Sequence, residues 1–167
     1  MERKYEFTDE TKQILGRTLH RIVAVRDFGN VKAGDKGGWI EKESNLSHEC
    51  NCWVYDDARV LDNAEVFGNA KVYDTAEVFG SARVSGKAVL RGDAVVSSNR
   101  DYIVFKNWWS SGRYFTWTRS NNKWKVGCFY GTGDELIRKA YKDSEMSGRE
   151  YERIVRYVDE ILNDNQE

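Results

Sequence analysis

Small and branched apolar residues recur on a six-residue period through the middle of the chain, as in DNAEVFGNAKVYDTAEVFGSARV at residues 62–84. An α-helix repeats every 3.6 residues, so this spacing is not helical. A β-hairpin has no reason to repeat its letters. A fixed period of this kind is typical of a solenoid, in which each unit buries its apolar side against the next.

Each six-residue unit predicts a short strand followed by a corner. The branched residues are Val54, Val60, Val66, Val72, Val78, Val84, Leu90 and Val96. The alanines, each two positions before a branched residue, are Ala58, Ala64, Ala70, Ala76, Ala82, Ala88 and Ala94. Two residues before each alanine stands a residue that tolerates a left-handed turn, namely Asp56, Asp62, Gly68, Asp74, Gly80, Gly86 or Gly92.

Charges between the apolar positions indicate how many sides the coil has. If three units make one coil, Arg59 lies over Glu77 and Glu65 lies over Arg83, both of them attractive pairs. If two units make one coil, Arg59 meets Lys71 and Glu65 meets Glu77, both of them repulsive. The charge pattern therefore predicts a three-sided coil.

The repeat resembles the hexapeptide-repeat, left-handed parallel β-helix proteins, and the resemblance covers roughly residues 38–97. The left hand is implied by this resemblance alone, since the general crossover rule favours the right hand. The whole chain is similar to small phage and prophage proteins that share YEFTDET, GDKGGWIEKESNLS and a later GCFYGT. That resemblance implies a role against a host defence, such as inhibiting a CRISPR complex or sequestering a nucleotide signal.

The segments around the repeat predict a cap and a second module. Residues 3–33 contain short strands that we expect to cap the first coil, and residues 47–51, SHECN, break the period and should bulge outward. Strands are predicted at Tyr102–Lys106, Tyr114–Arg119 and Trp124–Phe129, with a hairpin turn at SNN.

Two helices are predicted to end the chain. The first covers residues 134–143. The second starts at a capping box of Ser147 and Glu150. Its apolar stripe is Tyr151, Ile154, Val155, Val158, Ile161 and Leu162. The predicted class is mainly β: a three-sided parallel β-helix at 38–98, N-terminal strands at 1–37, and an antiparallel sheet with two α-helices at 99–167.

Large apolar residues also occupy outward positions of the coil, and these are Tyr55, Leu61, Phe67, Tyr73 and Phe79. An exposed group of this kind usually marks an interface. We expect the C-terminal module or neighbouring copies of the chain to cover it. The second possibility predicts a homo-oligomer, with a trimer favoured.

The hexapeptide-repeat resemblance implies one catalytic alternative, an acyltransferase that uses a histidine base and acyl-coenzyme A bound along the coils. His48, in the SHECN bulge, is the candidate base. A solvated loop histidine is the competing interpretation, and His20 fits a structural role in a strand.

Metal and anion sites have weaker signals. His48, Cys50 and Cys52 do not have a common zinc-ligand spacing, and Cys52 falls on a core position of the repeat. GTGDE at 131–135 could hold an anion with its amides, or simply be a turn and a helix cap. The sequence therefore predicts no metal and no cofactor.

A basic aromatic stretch carries the strongest binding signal, because no Asp or Glu occurs from Tyr102 to Gly133. The candidate binding residues are Lys106, Trp108, Trp109, Arg113, Tyr114, Trp117, Arg119, Lys123, Trp124 and Lys125. Such a surface can stack bases and neutralise phosphates, or it can contact an acidic protein. Alternatively, the aromatic residues form the core of the sheet and the basic residues are solvated.

Composition narrows the class of protein. The net charge of −1 argues against binding nucleic acid by bulk charge, and no apolar run is long enough to span a membrane. The absence of a secretory signal and the three cysteines favour a cytoplasmic location. We therefore predict a non-catalytic binding protein for a host protein or ribonucleoprotein, or for a phosphate-bearing nucleotide or nucleic acid. The alternatives are an acyltransferase and a structural assembly protein.

Overall fold

The structure is a computed structural model that describes residues 2–164. An N-terminal hairpin extends one side of the coil. Strands β1 (Tyr5–Ile14) and β2 (Arg17–Ala24) pair antiparallel, and β2 then pairs with β3 (Lys36–Ile40). Strand β3 runs parallel to the first strand of the repeat on that side. The hairpin therefore covers the edge of the first coil, where unpaired amides would otherwise be exposed.

The repeat folds into a three-sided parallel β-helix of two-residue strands. They are β4 (Trp53–Val54), β5 (Arg59–Val60), β6 (Glu65–Val66), β7 (Lys71–Val72), β8 (Glu77–Val78), β9 (Arg83–Val84), β10 (Val89–Leu90) and β11 (Val95–Val96). The three faces are β3-β5-β8-β11, β4-β7-β10 and β6-β9. Partners lie eighteen residues apart, as in the pairing of Val60 with Val78, so the predicted three-sided coil is confirmed.

Opposite charges meet across neighbouring coils as predicted. Arg59 forms an ion pair with Glu77, and the Arg83 guanidinium lies 3.3 Å from the Glu65 carboxylate. The branched residues and alanines of the repeat point inward and are fully buried. The outward charges therefore fix the register that the apolar interior fills.

The corners use left-handed backbone at the Asp and Gly positions, with φ between 51° and 68°. The aspartates have a second function there, because each accepts a hydrogen bond from the corner amide of the next coil. Asp62 accepts from the N–H of Gly80 at 3.2 Å, and Asp74 accepts from the N–H of Gly92 at 2.8 Å. Asp thus tolerates the corner conformation and also links successive coils.

A four-stranded antiparallel sheet follows the coils: β12 (Tyr102–Lys106), β13 (Tyr114–Thr118), β14 (Lys123–Val126) and β15 (Phe129–Gly131). The third predicted strand, Trp124–Phe129, is divided because Gly127 turns the chain at a φ of 55°. The sheet covers the last coil, whose amides have no further coil to bond. The N–H of Val89 donates to Thr116 at 2.9 Å, and the N–H of Val95 donates to Ser120 at 2.7 Å.

Two helices, α1 (Gly133–Asp143) and α2 (Glu145–Asp164), cover the other face of this sheet. Thr132 and Glu135 form a capping box at the start of α1, which confirms the helix-cap interpretation of GTGDE. The capping box predicted at Ser147 and Glu150 is wrong, since α2 already begins at Glu145. The hydroxyl of Ser144 accepts a hydrogen bond from the N–H of Ser147 instead.

The apolar stripe of α2 packs against the sheet and not against the coil. Val155 and Val158 are buried in a core with Phe115, Trp117 and Trp124 of the sheet. The helices are therefore not the cover for the outward apolar residues of the β-helix.

Candidate functional site: a basic cleft beside the coil

A cleft of about 430 Å³ lies where the N-terminal loop, one face of the coil and the C-terminal sheet come together. Small-molecule sites commonly have volumes of about 300–1,000 Å³, so the cleft is large enough for a ligand. Its lining residues are Gly29, Asn30, Asn51, Asn69, Lys71, Lys87, Val89, Arg113, Tyr114, Lys125 and Gly127. Three separate parts of the chain thus contribute to one concave surface.

The floor of the cleft is built by the eighteen-residue register of the coil. Asn51, Asn69 and Lys87 occupy the same place on successive coils. The backbone N–H of Asn51 donates to the carbonyl oxygen of Gly68, and the backbone N–H of Asn69 donates to that of Gly86 in the same way. On the adjoining strands, Lys71 of β7 pairs with Val89 of β10. Neighbouring strands are about 4.8 Å apart, so these side chains form short columns along the coil axis.

Four cationic side chains line the cleft, and no carboxylate accompanies them among its described lining residues. Lys71 and Lys87 come from the coil, whereas Arg113 and Lys125 come from the C-terminal module. None of the four belongs to any ion pair found within residues 2–164, although many other basic residues of the protein are paired. The cluster is therefore an uncompensated positive charge in a protein of net charge −1.

Burial and a neighbouring cation act on the ammonium group of Lys125. Partial burial lowers its pKa, the Arg91 guanidinium lowers it further, and the Cys128 thiol opposes both effects. The ammonium also donates to the carbonyl oxygen of Gly127. An anion in the cleft would relieve the repulsion and raise the pKa of Lys125 again.

The uncharged polar groups of the cleft are also free to bind a ligand. Asn30, Asn51 and Asn69 make no side-chain hydrogen bonds to any part of the chain that the structure describes, and the Tyr114 ring has no stacking partner there. Side-chain amides offer both donors and acceptors, and a tyrosine ring offers an apolar plane. Together with the four cations, these groups suit a ligand that is both anionic and rich in hydrogen-bonding atoms.

The predicted binding residues separate into two groups. Arg113, Tyr114 and Lys125 line the cleft. The remaining members lie elsewhere: Lys106, Trp108 and Arg119 are exposed, Trp109 and Lys123 are half-buried, and Trp117 and Trp124 are core residues of the sheet. Only the members at the surface remain candidates for contact with a partner.

The predicted binding residues did not include the coil residues of the cleft, which are Lys71, Lys87, Asn51 and Asn69, because they were drawn only from the C-terminal stretch. A signal for Asn51, Asn69 and Lys87 existed in their eighteen-residue spacing, since all three positions are polar. The spacing alone does not place them beside the C-terminal module.

The outward apolar residues do not form one continuous band. Tyr55 stacks on Tyr73 with ring centroids 4.1 Å apart, and Leu61 packs with Phe79 beneath the N-terminal hairpin. Phe67 lies under the guanidinium of Arg83. Because residues six apart lie on successive sides, the five occupy three different corners. Their role in assembly, and the trimer, remain predictions.

The two histidines lie outside the cleft. The His48 ring stacks on Tyr5 with centroids 4.2 Å apart, and its Nδ1 accepts a hydrogen bond from the N–H of Lys4 at 3.1 Å. Burial lowers the pKa of His48. His48 is thus a partly buried structural contact of the bulge and not a solvated loop residue. His20 stacks on Phe7 in the N-terminal hairpin.

The cysteines also occupy separate environments. Cys52 is a buried core residue, as predicted, and the ammonium of Lys4 donates to its carbonyl oxygen at 2.8 Å, while Cys50 and Cys128 are exposed. Within residues 2–164, no three His, Cys, Asp or Glu side chains are grouped so that they could hold a metal ion. None of the helices in this part of the chain is long and apolar enough to cross a membrane.

Comparison with known proteins supports the fold type more than an activity. No protein-family model matches the chain. A segment of 42 residues is 48% identical to part of an uncharacterized acetyltransferase, YdcK, of Escherichia coli strain K12. The match covers 25% of this chain and 13% of YdcK, so the chain spans only a small part of the curated relative. The similarity agrees with a β-helix of the hexapeptide-repeat type.

Proposed function

We propose that the protein binds a phosphate-bearing ligand in the basic cleft. The observation that carries this proposal is the cluster of Lys71, Lys87, Arg113 and Lys125, which are unpaired and line one concave surface. Cationic side chains form short, charge-assisted hydrogen bonds to phosphate oxygens, and the planar guanidinium of Arg113 can make two at once.

The position of the cleft between two modules favours a specific site over a diffuse basic surface. Lys71 and Lys87 belong to the coil, Lys125 belongs to β14 of the sheet that caps it, and Arg113 directly precedes β13 of that sheet. The cap is held to the coil by hydrogen bonds such as that from the N–H of Val89 to Thr116. A ligand therefore meets cations whose backbone positions are set before it binds, which lowers the ordering cost of binding.

Acetyl-coenzyme A-dependent transfer is the second candidate, and the partial match to YdcK favours it. Coenzyme A carries phosphate groups, so the same cleft could hold it. The candidate base His48 does not line the cleft, and its Nδ1 is already an acceptor for Lys4. The match favours a transferase over the predicted non-catalytic phage protein, and the basic cleft supports a phosphate-bearing ligand in either case. The role against a host defence, which the phage resemblance implies, gains no support from the comparisons.

Calorimetric titration with pyrophosphate and with acetyl-coenzyme A tests the proposal. The double variant K71A/K87A should lose affinity by about 100-fold or more, because each charged hydrogen bond contributes about 1.5–3 kcal/mol. The matched control K106A/R119A removes the same charge from exposed positions of the C-terminal module that do not line the cleft, and it should bind normally. Binding should also weaken between 50 and 200 mM salt.

Two results would contradict the proposal. One is that neither pyrophosphate, acetyl-coenzyme A nor any nucleotide binds. The other is that both double variants lose affinity equally, because bulk charge would then explain the binding. Release of free coenzyme A that depends on His48, measured with wild type and His48→Ala, would favour the transferase instead.

A further inference from the structure

The two ends of the basic cleft differ in chemistry. Asn30 and Asn51 lie toward the N-terminal end of the coil, and Asn69 lies one coil further along. The next step of the same column is Lys87, beside Arg113 and Lys125 of the capping sheet. The cleft thus passes from neutral amides at one end to a concentrated positive charge at the other.

The charged end fits more than one phosphate group. A phosphate monoester carries about −1.5 to −2 charges at pH 7. The four cations of the cleft therefore balance two or more phosphate groups better than one. Lys71 stands on the middle coil, so the positive charge extends from the cap toward the amide end.

The amide end fits a heterocyclic base. Asparagine side chains pair well with base edges because one amide supplies both a donor and an acceptor. From the capping side of the same cleft, next to Arg113, the unstacked ring of Tyr114, which is 38% exposed, adds a plane on which a base or ribose can pack. Two steps of the coil separate Asn51 from Lys87, which at about 4.8 Å per step is about 10 Å, a distance that an extended nucleoside diphosphate can span.

From this polarity we infer that the ligand is a nucleotide with at least two phosphate groups, bound with its phosphates at the capping sheet and its base at the asparagines. The inference rests on the proposed function, since it names the class of phosphate-bearing ligand. The inference depends on two features of the cleft. Asn51, Asn69 and Lys87 lie in one column along the coil, and Arg113 and Lys125 line the same cleft from the C-terminal module.

Titrations of the full chain with ADP, GDP, CDP, UDP and pyrophosphate test the inference. At least one nucleoside diphosphate should bind about tenfold or more tightly than pyrophosphate. The double variant N51A/N69A should weaken the preferred diphosphate by about tenfold or more and pyrophosphate by much less, so that the advantage disappears. The variant K71A/K87A should weaken both ligands. A single-stranded RNA of ten uridines, U10, should bind more weakly than the preferred diphosphate.

The outcomes separate this inference from the proposed function. If pyrophosphate binds as tightly as every diphosphate, the cleft recognises phosphate alone and the nucleotide inference is wrong, while the proposed function stands. If U10 binds most tightly, the ligand is a nucleic acid strand and the inference is again wrong. If no phosphate compound binds, the proposed function fails as well. Circular dichroism of each variant confirms that the fold is intact.

Discussion

The three-sided coil makes a sharp prediction at two glycines that share a conformation and differ in surroundings. Gly80 and Gly86 have φ values of 63° and 68°, so alanine is strained equally at both. A Cβ at Gly86 meets nothing within 4 Å, whereas a Cβ at Gly80 lies 2.8 Å from the carbonyl oxygen of Ser97. Ser97 is close only because the chain returns to the same corner after one complete coil.

The expected losses follow from these distances. Gly86→Ala carries only the left-handed backbone cost, about 1–2 kcal/mol. Gly80→Ala carries the same cost together with an overlap against backbone, which adds about 1–3 kcal/mol because a coil must shift. At about 2–4 °C per kcal/mol for a chain of this size, Gly80→Ala should melt roughly 2–12 °C below Gly86→Ala.

Urea and thermal unfolding of the wild type and the two variants measure this difference. Both variants should unfold with the same urea dependence as the wild type, so that the difference in midpoint reports stability. Equal losses at the two positions, or a larger loss at Gly86, would refute the packing of Gly80 against Ser97 and with it the register of the last coils.

Three further changes test the cap, the corner and the interior. Thr116→Val removes the acceptor for the N–H of Val89, which should cost about 1–3 kcal/mol in urea unfolding and speed amide exchange at Val89. The hydrogen bond from Arg91 lowers the pKa of Asp74 in the folded protein. The ionised carboxylate therefore stabilises the fold above about pH 4, and this stabilisation is lost as pH falls through the lower folded pKa. The free energy of unfolding of Asp74→Asn should decrease less than that of the wild type during acid titration. Leu90→Ala truncates a fully buried side chain and should cost about 2–5 kcal/mol by thermal unfolding, whereas a loss under 1 kcal/mol would place Leu90 outside the core.

The coil could be predicted from sequence because its determinants are local and repeat. In every two-residue strand from β5 to β11 the first side chain is at least partly exposed and the second is buried, whereas both residues of β4 are buried. The pairing of Arg59 with Glu77 then gives the number of sides. The hydrogen bonds that the corner aspartates accept from the next coil, such as that from the N–H of Gly80 to Asp62, follow from the same spacing but were not predicted.

The C-terminal module was harder to predict because its faces depend on which side meets the coil. Residues alternate along β13, so Phe115 and Trp117 face the helices while Thr116 faces the coil. The sequence shows the alternation but not which partner lies on each side. For that reason it could not assign Trp117 and Trp124 to the core.

The cleft could not be predicted because it forms only where the capping sheet meets the coil. Lys71 and Lys87 are 54 and 38 residues from Lys125 in sequence, and neither is unusual within the repeat. Their meeting depends on the hydrogen bonds that dock β13 onto β10. The acid-free stretch contributes Arg113, Tyr114 and Lys125 to the lining of the cleft.

A crystal structure of the protein grown with the diphosphate that binds most tightly tests the central claim most directly. Phosphate oxygens are predicted within hydrogen-bond distance of Lys87, Arg113 and Lys125, with the base beside Asn51 and Asn69. Density for the ligand on Lys106, Trp108 or Arg119, with the cleft empty, would contradict the account.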